Sequence, residues 1–264
     1  MEGPTPVSAL IHAATMVTAG IFLMIRCSFI FECSENIRLL IIVFGVCTAF
    51  TAALTACTLY DLKKIIAYST CSQLGYMFLA GGLAQYGTSF FHLLNHAFFK
   101  ALLFLCAGAV IHSFGNEQDI RKLFIVGVRS KLLYVGFLVG NIAIMGLPFL
   151  SGFYSKDLII ESLLTSYGFV GFPQAASVLS LLVFMATGCT AYYSCRIMYF
   201  LFFRQGAVGF IFGPSFFIYQ PALIGFVLSS LVCGSIFAGY VLSDFFTVGS
   251  LLNGGQNLWS KALL

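Results

Sequence analysis

The sequence predicts an all-α, polytopic transmembrane helical bundle of about seven spans, one of them discontinuous. Of the 264 residues, 60% are hydrophobic and only 8% charged, where a soluble domain carries about 25% charged residues. The mean hydropathy of +0.99 is concentrated in runs of about 20 residues, each long enough to cross a hydrocarbon core roughly 30 Å thick. The runs lack the alternation of barrel strands, so their backbone groups must be satisfied within helices.

Seven segments follow in order: 7–25, 37–59, 65–83, 90–111, 132–164, 178–203 and 222–242. The first opens on Pro4-Thr5-Pro6, a helix start in which Thr5 can cap and Pro6 has no N–H to orphan. The fifth is too long for one straight crossing and short for two. Gly146, Pro148 and Gly152 fall in its middle. Proline removes an intrahelical bond and clashes with the preceding turn, so a break near 146–152 between two half-helices is expected.

Loop charge chooses between a broken span and a hairpin there. With one broken span, Lys63, Lys64, Arg121, Lys122, Arg129, Lys131 and Arg204 share a side against Arg26, Arg38 and Lys261. That bias orients the basic loops toward the cytoplasm or mitochondrial matrix; a hairpin would move Arg204 across and weaken it. The basic residues are scattered, so no nucleic-acid footprint is present. The nine cysteines contain no C-x-x-C pair or Cys/His ligand cluster, arguing against a metal or iron–sulfur site. The N-terminus has neither a basic n-region nor a cleavage site, as a signal peptide would.

Ionisable residues inside a membrane helix cost about 2.5–3.5 kcal/mol each on insertion scales, so those present carry the functional signal. His92, His96 and Lys100 recur every fourth residue with Asn95 beside them, forming a ladder on one helix face that suits a proton path. A single intramembrane histidine is as readily a packing residue, but three ionisable groups in register favour a relay. Zinc could bind two histidines at this spacing, but no acidic or cysteine partner accompanies them and Lys100 repels a cation. After the predicted break come Lys156, Asp157 and, one turn on, Glu161. Half-helix ends near the midplane are where transporters place ion sites; the plainer alternative is that Lys156 and Asp157 pair and snorkel. Ser8, His12 and Thr15 share a face of the first segment, Thr48, Thr51, Thr55 and Thr58 stripe the second, and Ser69, Ser72, Gln73 and Tyr76 stripe the third. Such stripes are more often interhelical hydrogen-bonding positions than a path, so His12, the one ionisable group among them, is the relay candidate. Lys63 and Lys64 mark the inner interface, where a basic pair can meet lipid phosphate.

These residues lie within longer motifs: EGPTPVSALIHAATMVTAG (2–20), DLKKIIAYSTCSQLGYMFLA (61–80), FHLLNHAFFKALLFLCAG (91–108), NEQDIRK (116–122) and GLPFLSGFYSKD (146–157). Together they resemble the subunit 5 family of respiratory complex I, whose bacterial counterpart is the L subunit of NADH-quinone oxidoreductase. The resemblance covers residues 1 to about 204 and weakens beyond. It implies an antiporter-like fold missing its first half. Residues 1–204 would be the antiporter-like transmembrane domain, a second helical repeat plus one preceding helix, and 205–264 a C-terminal transmembrane helix and tail. It implies proton translocation driven by redox chemistry elsewhere, with His12, His92, His96, Lys100, Lys156 and Asp157 as relay residues and Glu161, Asn95 and Thr15 in support. NADH, FMN, iron–sulfur clusters and ubiquinone would sit in partner subunits, with no cofactor or metal on this chain. Partners would be the other membrane-arm subunits and membrane lipids, and the mitochondrial inner membrane the location, with a bacterial plasma membrane as the alternative.

Members of that family are longer, and Met1 falls inside a motif that lies mid-subunit in them. The expectation is the C-terminal product of a split subunit completed by a separate N-terminal polypeptide, a simple fragment being the alternative. The rival functional class is an Mrp-type sodium/proton antiporter subunit, which tends to carry lysine where this chain has Thr18; NEQDIRK is closer to the respiratory subunit. A third reading is a structural membrane-arm piece that no longer moves protons.

Overall fold

The computed structural model describes residues 3, 5–123, 130–165, 173–203 and 222–251. Among these there is no strand, and every predicted segment is helical. The first segment is the irregular one: α1 (Thr5–Val7), a π-helical stretch (Ser8–Thr15), α2 (Thr18–Arg26) and the short α3 (Ser28–Glu32). Thr5 is thus the first helical residue and not the cap. Then follow α4 (Glu35–Thr58), α5 (Leu62–Gly82), α6 (Tyr86–Ser113), α7 (Lys131–Met145), α8 (Ser151–Thr165), α9 (Pro173–Met198), a π-helical turn (Tyr199–Phe203) and α10 (Ala222–Leu251). The domain boundary expected at 204/205 falls outside the described residues.

Four helical stretches are long and apolar enough to cross a membrane individually: Glu35–Thr58, Tyr86–Ser113, Ser177–Phe203 and Leu223–Ser243. Large apolar side chains such as Leu40, Phe44, Leu181, Phe184, Phe226 and Phe237 point outward from them, as lipid-facing surfaces require. α6 is the hub. It packs against the N-terminal segment, α5, α7, α8 and α10, which is why its polar ladder is enclosed on all sides.

Lipid tails are as apolar as leucine, so membrane helices associate by close packing of small residues rather than by hydrophobic burial. The α4–α5 pair is built this way. Gly45 and Gly75 face each other so closely that a Cβ on Gly75 would sit 2.6 Å from the Gly45 carbonyl oxygen and 2.6 Å from the Ala49 amide. Ala49, Ala53 and Ala56 continue the seam, and Ser72 Oγ donates across it to the Ala49 carbonyl at 3.0 Å. Gly75→Leu is expected to separate the helices and destabilise the bundle by about 1–3 kcal/mol. Thermal unfolding in detergent, compared with the wild-type chain, checks this.

The fifth segment breaks where expected. α7 ends on Gly146 in the left-handed region (φ 83°), Phe149 also has positive φ (72°), and α8 begins at Ser151. Gly152 abuts the Ala143 carbonyl, while Lys156 lies beside Gly146. Contacts between 152 and 143 and between 156 and 146 rise together along both helices, so α8 runs in the same direction as α7. The segment is one broken span rather than a hairpin, and the break is made by the close approach that Gly152 permits.

At the basic face, the α6–α7 loop pairs with the α4–α5 turn through Leu62 N–H to Gln118 O and Ile120 N–H to Tyr60 O, both 2.9 Å. Asp119 accepts from Arg121 (2.6 Å) and Glu117 from Lys122 (3.0 Å). The Arg121 hydrogen bond holds the Asp119 carboxyl below its ordinary value of 3.8. A carboxylate with a depressed folded pKa contributes stability that is present above the unfolded value and lost as pH falls through the folded one. Amide-exchange protection at Ile120 should therefore be flat from about pH 5 to 8 and decline below about pH 4; Asp119→Asn should show the reduced protection at every pH.

Candidate proton-relay site

The α6 ladder is fully enclosed: His92, Asn95, His96 and Lys100 are each no more than 1% exposed. α5 runs antiparallel beside it and supplies a second polar ladder, Ser69, Gln73 and Tyr76, at spacings of four and three. Lys100 Nζ donates to Ser69 Oγ and to the Ile66 carbonyl (3.2 Å). One turn along α5, Gln73 Oε1 meets His92 Nε2 at 3.1 Å. Tyr76 then lies beneath Lys156, whose Nζ is 5.2 Å from the ring centre. His96 sits between the two ends, 6.4 Å ring to ring from His92 and edge-on to Phe99 at 5.4 Å.

The His92 contacts suit one tautomer. An amide oxygen only accepts, so Nε2 carries the proton, and Nδ1 accepts from Ser155 Oγ at 2.8 Å. The Ser155 hydroxyl has two further acceptors on its own helix, the Ser151 and Gly152 carbonyls at 3.4 and 3.5 Å. It can therefore turn from donor toward His92 to acceptor from it without losing a partner. Asn95 Nδ2 donates to the Ser151 carbonyl at 3.1 Å, fixing the start of α8 against the ladder.

Lys156 follows Ser155 directly and is buried. Its Nζ donates to Thr190 Oγ1 (3.1 Å) and to the Ile144 and Met145 carbonyls (3.4 and 3.5 Å). Those carbonyls belong to the last turn of α7 and are freed by the break, so the ammonium faces the negative end of that helix dipole. No ion pair within 4 Å joins Lys156 to Asp157. Asp157 and Glu161 are both half-buried on α8.

The remaining candidates lie elsewhere. His12 is half-buried in the π-helical stretch that packs on α6, with no hydrogen bond or ring contact to the ladder. Thr15 is exposed, its hydroxyl donating to the Leu10 carbonyl at 2.9 Å. The threonine stripe of α4 bonds back to its own helix, as Thr51 does to Cys47 O at 2.8 Å, so it neither bridges helices nor lines a path. Sequence reasoning assigned Ser69, Gln73 and Tyr76 to a packing stripe and passed over Ser155 and Thr190. Their spacing opposite an antiparallel ionisable ladder was the available signal. Among the described residues no cluster of three His, Cys, Asp or Glu side chains is placed to hold a metal ion.

The chain matches known proteins along its length. The family model described as NADH:quinone oxidoreductase/Mrp antiporter, TM, matches residues 1–182. NADH-ubiquinone oxidoreductase chain 5 of Phytophthora infestans is 48% identical over 266 residues, covering 100% of this chain and 38% of the relative. The proteins of the same name from Chondrus crispus and Arabidopsis thaliana are 47% and 46% identical, again over 100% of this chain and 39% and 38% of theirs. The chain thus spans well under half the length of these relatives. Among solved structures, the Mrp complex from Dietzia sp. superposes with a TM-score of 0.77 at 29% identity, covering 91% of this chain and 26% of that one. The membrane-bound sulfane sulfur reductase, an archaeal respiratory complex, gives 0.77 at 26% identity, covering 93% of this chain and 48% of that one. By the match over residues 1–182 and the identity to chain 5 proteins along its whole length, the chain belongs to the NADH:quinone oxidoreductase/Mrp antiporter family of membrane subunits.

Proposed function

We propose that the chain is part of the proton-translocating, antiporter-like subunit 5 in the membrane arm of an NADH:ubiquinone oxidoreductase. The observation that carries the proposal is the enclosed series Lys100, His96, His92, Ser155, Lys156, which joins the centre of α6 to the helix break. Buried atoms along it lack a protein partner, including both His96 nitrogens, Gln73 Nε2, Asn95 Oδ1 and Ser151 Oγ. Buried polar atoms are costly unless paired, and water satisfies them while completing the gaps between titratable groups. A proton arriving at His92 Nδ1 makes that nitrogen a donor. Ser155 then accepts from it and turns its own hydroxyl to the Ser151 or Gly152 carbonyl, passing the change to the helix that carries Lys156. Lys156, having released its own proton to Asp157 or Glu161 on the outer side, takes up the His92 proton through intervening water. His12 serves as an access residue rather than a member of the enclosed series.

Redox chemistry lies with partners: NADH, FMN, iron–sulfur clusters and ubiquinone belong to other subunits, and this chain contributes no redox catalysis. The eukaryotic sources of the relatives support the mitochondrial inner membrane as the location. The partners are the other membrane-arm subunits. Co-purification with NADH dehydrogenase activity is expected, and purification without it would favour the Mrp-type antiporter. Gln73→Leu in the intact assembly should slow NADH-driven proton uptake about five-fold, the equivalent of one hydrogen bond of ~1 kcal/mol, with assembly unchanged. Uptake at the wild-type rate would remove Gln73 from the path.

A further inference from the structure

A second polar feature lies outside the relay. Where the C-terminal end of α4 meets the C-terminal part of α9, a cleft of about 650 Å³ is lined by Cys57, Thr58, Tyr60, Tyr192, Arg196 and Tyr199, among others. Arg196 forms its floor. One guanidinium nitrogen donates to the Cys57 carbonyl, an acceptor left free in the last turn of α4. The guanidinium carbon lies over the Tyr60 ring, 4.4 Å from its centre, with Phe200 farther off at 5.9 Å. Arg121 lies over the same Tyr60 ring at 4.2 Å, but its charge is matched by Asp119. Lys64 is likewise matched by Asp61 at 2.8 Å. No carboxylate of the described residues lies within 4 Å of Arg196, so of the three neighbouring cations it is the one whose charge is unmatched.

The surroundings specify what would match it. The cleft opens level with the α4–α5 turn on the basic face, and Tyr192 and Tyr199 beside it are 60% and 56% exposed. Exposed tyrosines at the ends of membrane helices mark the headgroup level. A planar guanidinium with donors left over is suited to bidentate phosphate recognition. Soluble phosphate would leave the apolar tyrosine and phenylalanine faces without use, whereas a phospholipid fills both parts, headgroup beside Tyr199, phosphate on Arg196 and upper acyl chain along Tyr192, one turn deeper on α9. We infer that this cleft is a binding site for an anionic phospholipid of the basic-side leaflet, with Arg196 as the phosphate ligand.

The test uses the intact assembly reconstituted in phosphatidylcholine nanodiscs containing a diazirine-labelled phosphatidylglycerol. Photolabelling is expected on peptides carrying Tyr192, Cys195 and Tyr199, and is expected to fall at least several-fold in Arg196→Gln. Glutamine removes the charge and keeps a polar side chain, and unchanged assembly on native gels controls for loss of the Cys57 contact. Thr58→Trp, which fills the cleft and keeps Arg196, should reduce labelling to a similar extent. Unlabelled phosphatidylglycerol should compete, and inorganic phosphate should not. Equal labelling in both variants, equal labelling by a phosphatidylcholine probe, or competition by inorganic phosphate alone would overturn the assignment.

Discussion

Lys156→Ala is expected to cut NADH-driven proton uptake by the reconstituted assembly at least ten-fold, equivalent to about 1.4 kcal/mol or more on the rate-limiting step. Lys156 is the amine at the end of the enclosed series, and its Nζ is held by Thr190 Oγ1 and two α7 carbonyls. Alanine removes the proton carrier and leaves those three acceptors facing each other. Lys156→Arg keeps the charge but does not release its proton at any pH a protein experiences, so it should be nearly as inactive while assembling normally. That pair separates carriage of a proton from mere neutralisation of the break. An arginine variant that pumps at the wild-type rate would mean that position 156 supplies only fixed charge.

The largest structural effect is expected from Gly152→Val. The added Cβ would land on the Ala143 carbonyl, which is backbone and has nowhere to move while α7 and α8 overlap. Gly146 is also confined by its neighbours, with φ 83° and the Lys156 side chain 3.4 Å from a Cβ built there, so the strain cannot be shifted along the chain. Destabilisation should reach the upper end of the roughly 1–3 kcal/mol typical of overpacking, with loss of assembled complex on native gels. Gly188→Ala is the control. A Cβ there meets nothing within 4 Å, and it should be neutral or slightly stabilising, since alanine is the better helix former. Equal behaviour of the two variants would mean the helix break is not held by backbone contact.

How far the sequence alone reached can be judged at particular residues. The seven helical segments were legible because apolar run length is a direct consequence of bilayer thickness, and the break at Gly146-Pro148-Gly152 because proline and glycine disrupt helices by local chemistry. His92, His96 and Lys100 were legible for the same kind of reason: four-residue spacing puts them on one face whatever surrounds the helix. Ser69 and Gln73 were not distinguished from a packing stripe, since hydroxyl and amide side chains serve both purposes and only the antiparallel placement of α5 against α6 decides between them. Thr190 lies 34 residues from Lys156 along the chain, and no local pattern predicts that meeting. Lys156 was singled out as an amine at a half-helix end, with pairing to Asp157 as the plainer alternative. The fold instead turns it toward the carbonyls that the break itself exposes, a partner set that exists only once both half-helices are in place. The irregular π-helical geometry around His12 also had no sequence signal beyond Pro4 and Pro6.

The central claim is that Lys100 and Lys156 belong to one path through the membrane. Steady-state proton uptake per NADH oxidised, measured on Lys100→Ala, Lys156→Ala and the double variant in the same reconstituted assembly, tests it most directly. Residues acting in one unit are not additive, so each single substitution should remove most of the uptake assigned to this subunit and the double variant should remove no more. Partial losses that sum in the double variant would place the two lysines on separate paths and contradict the account.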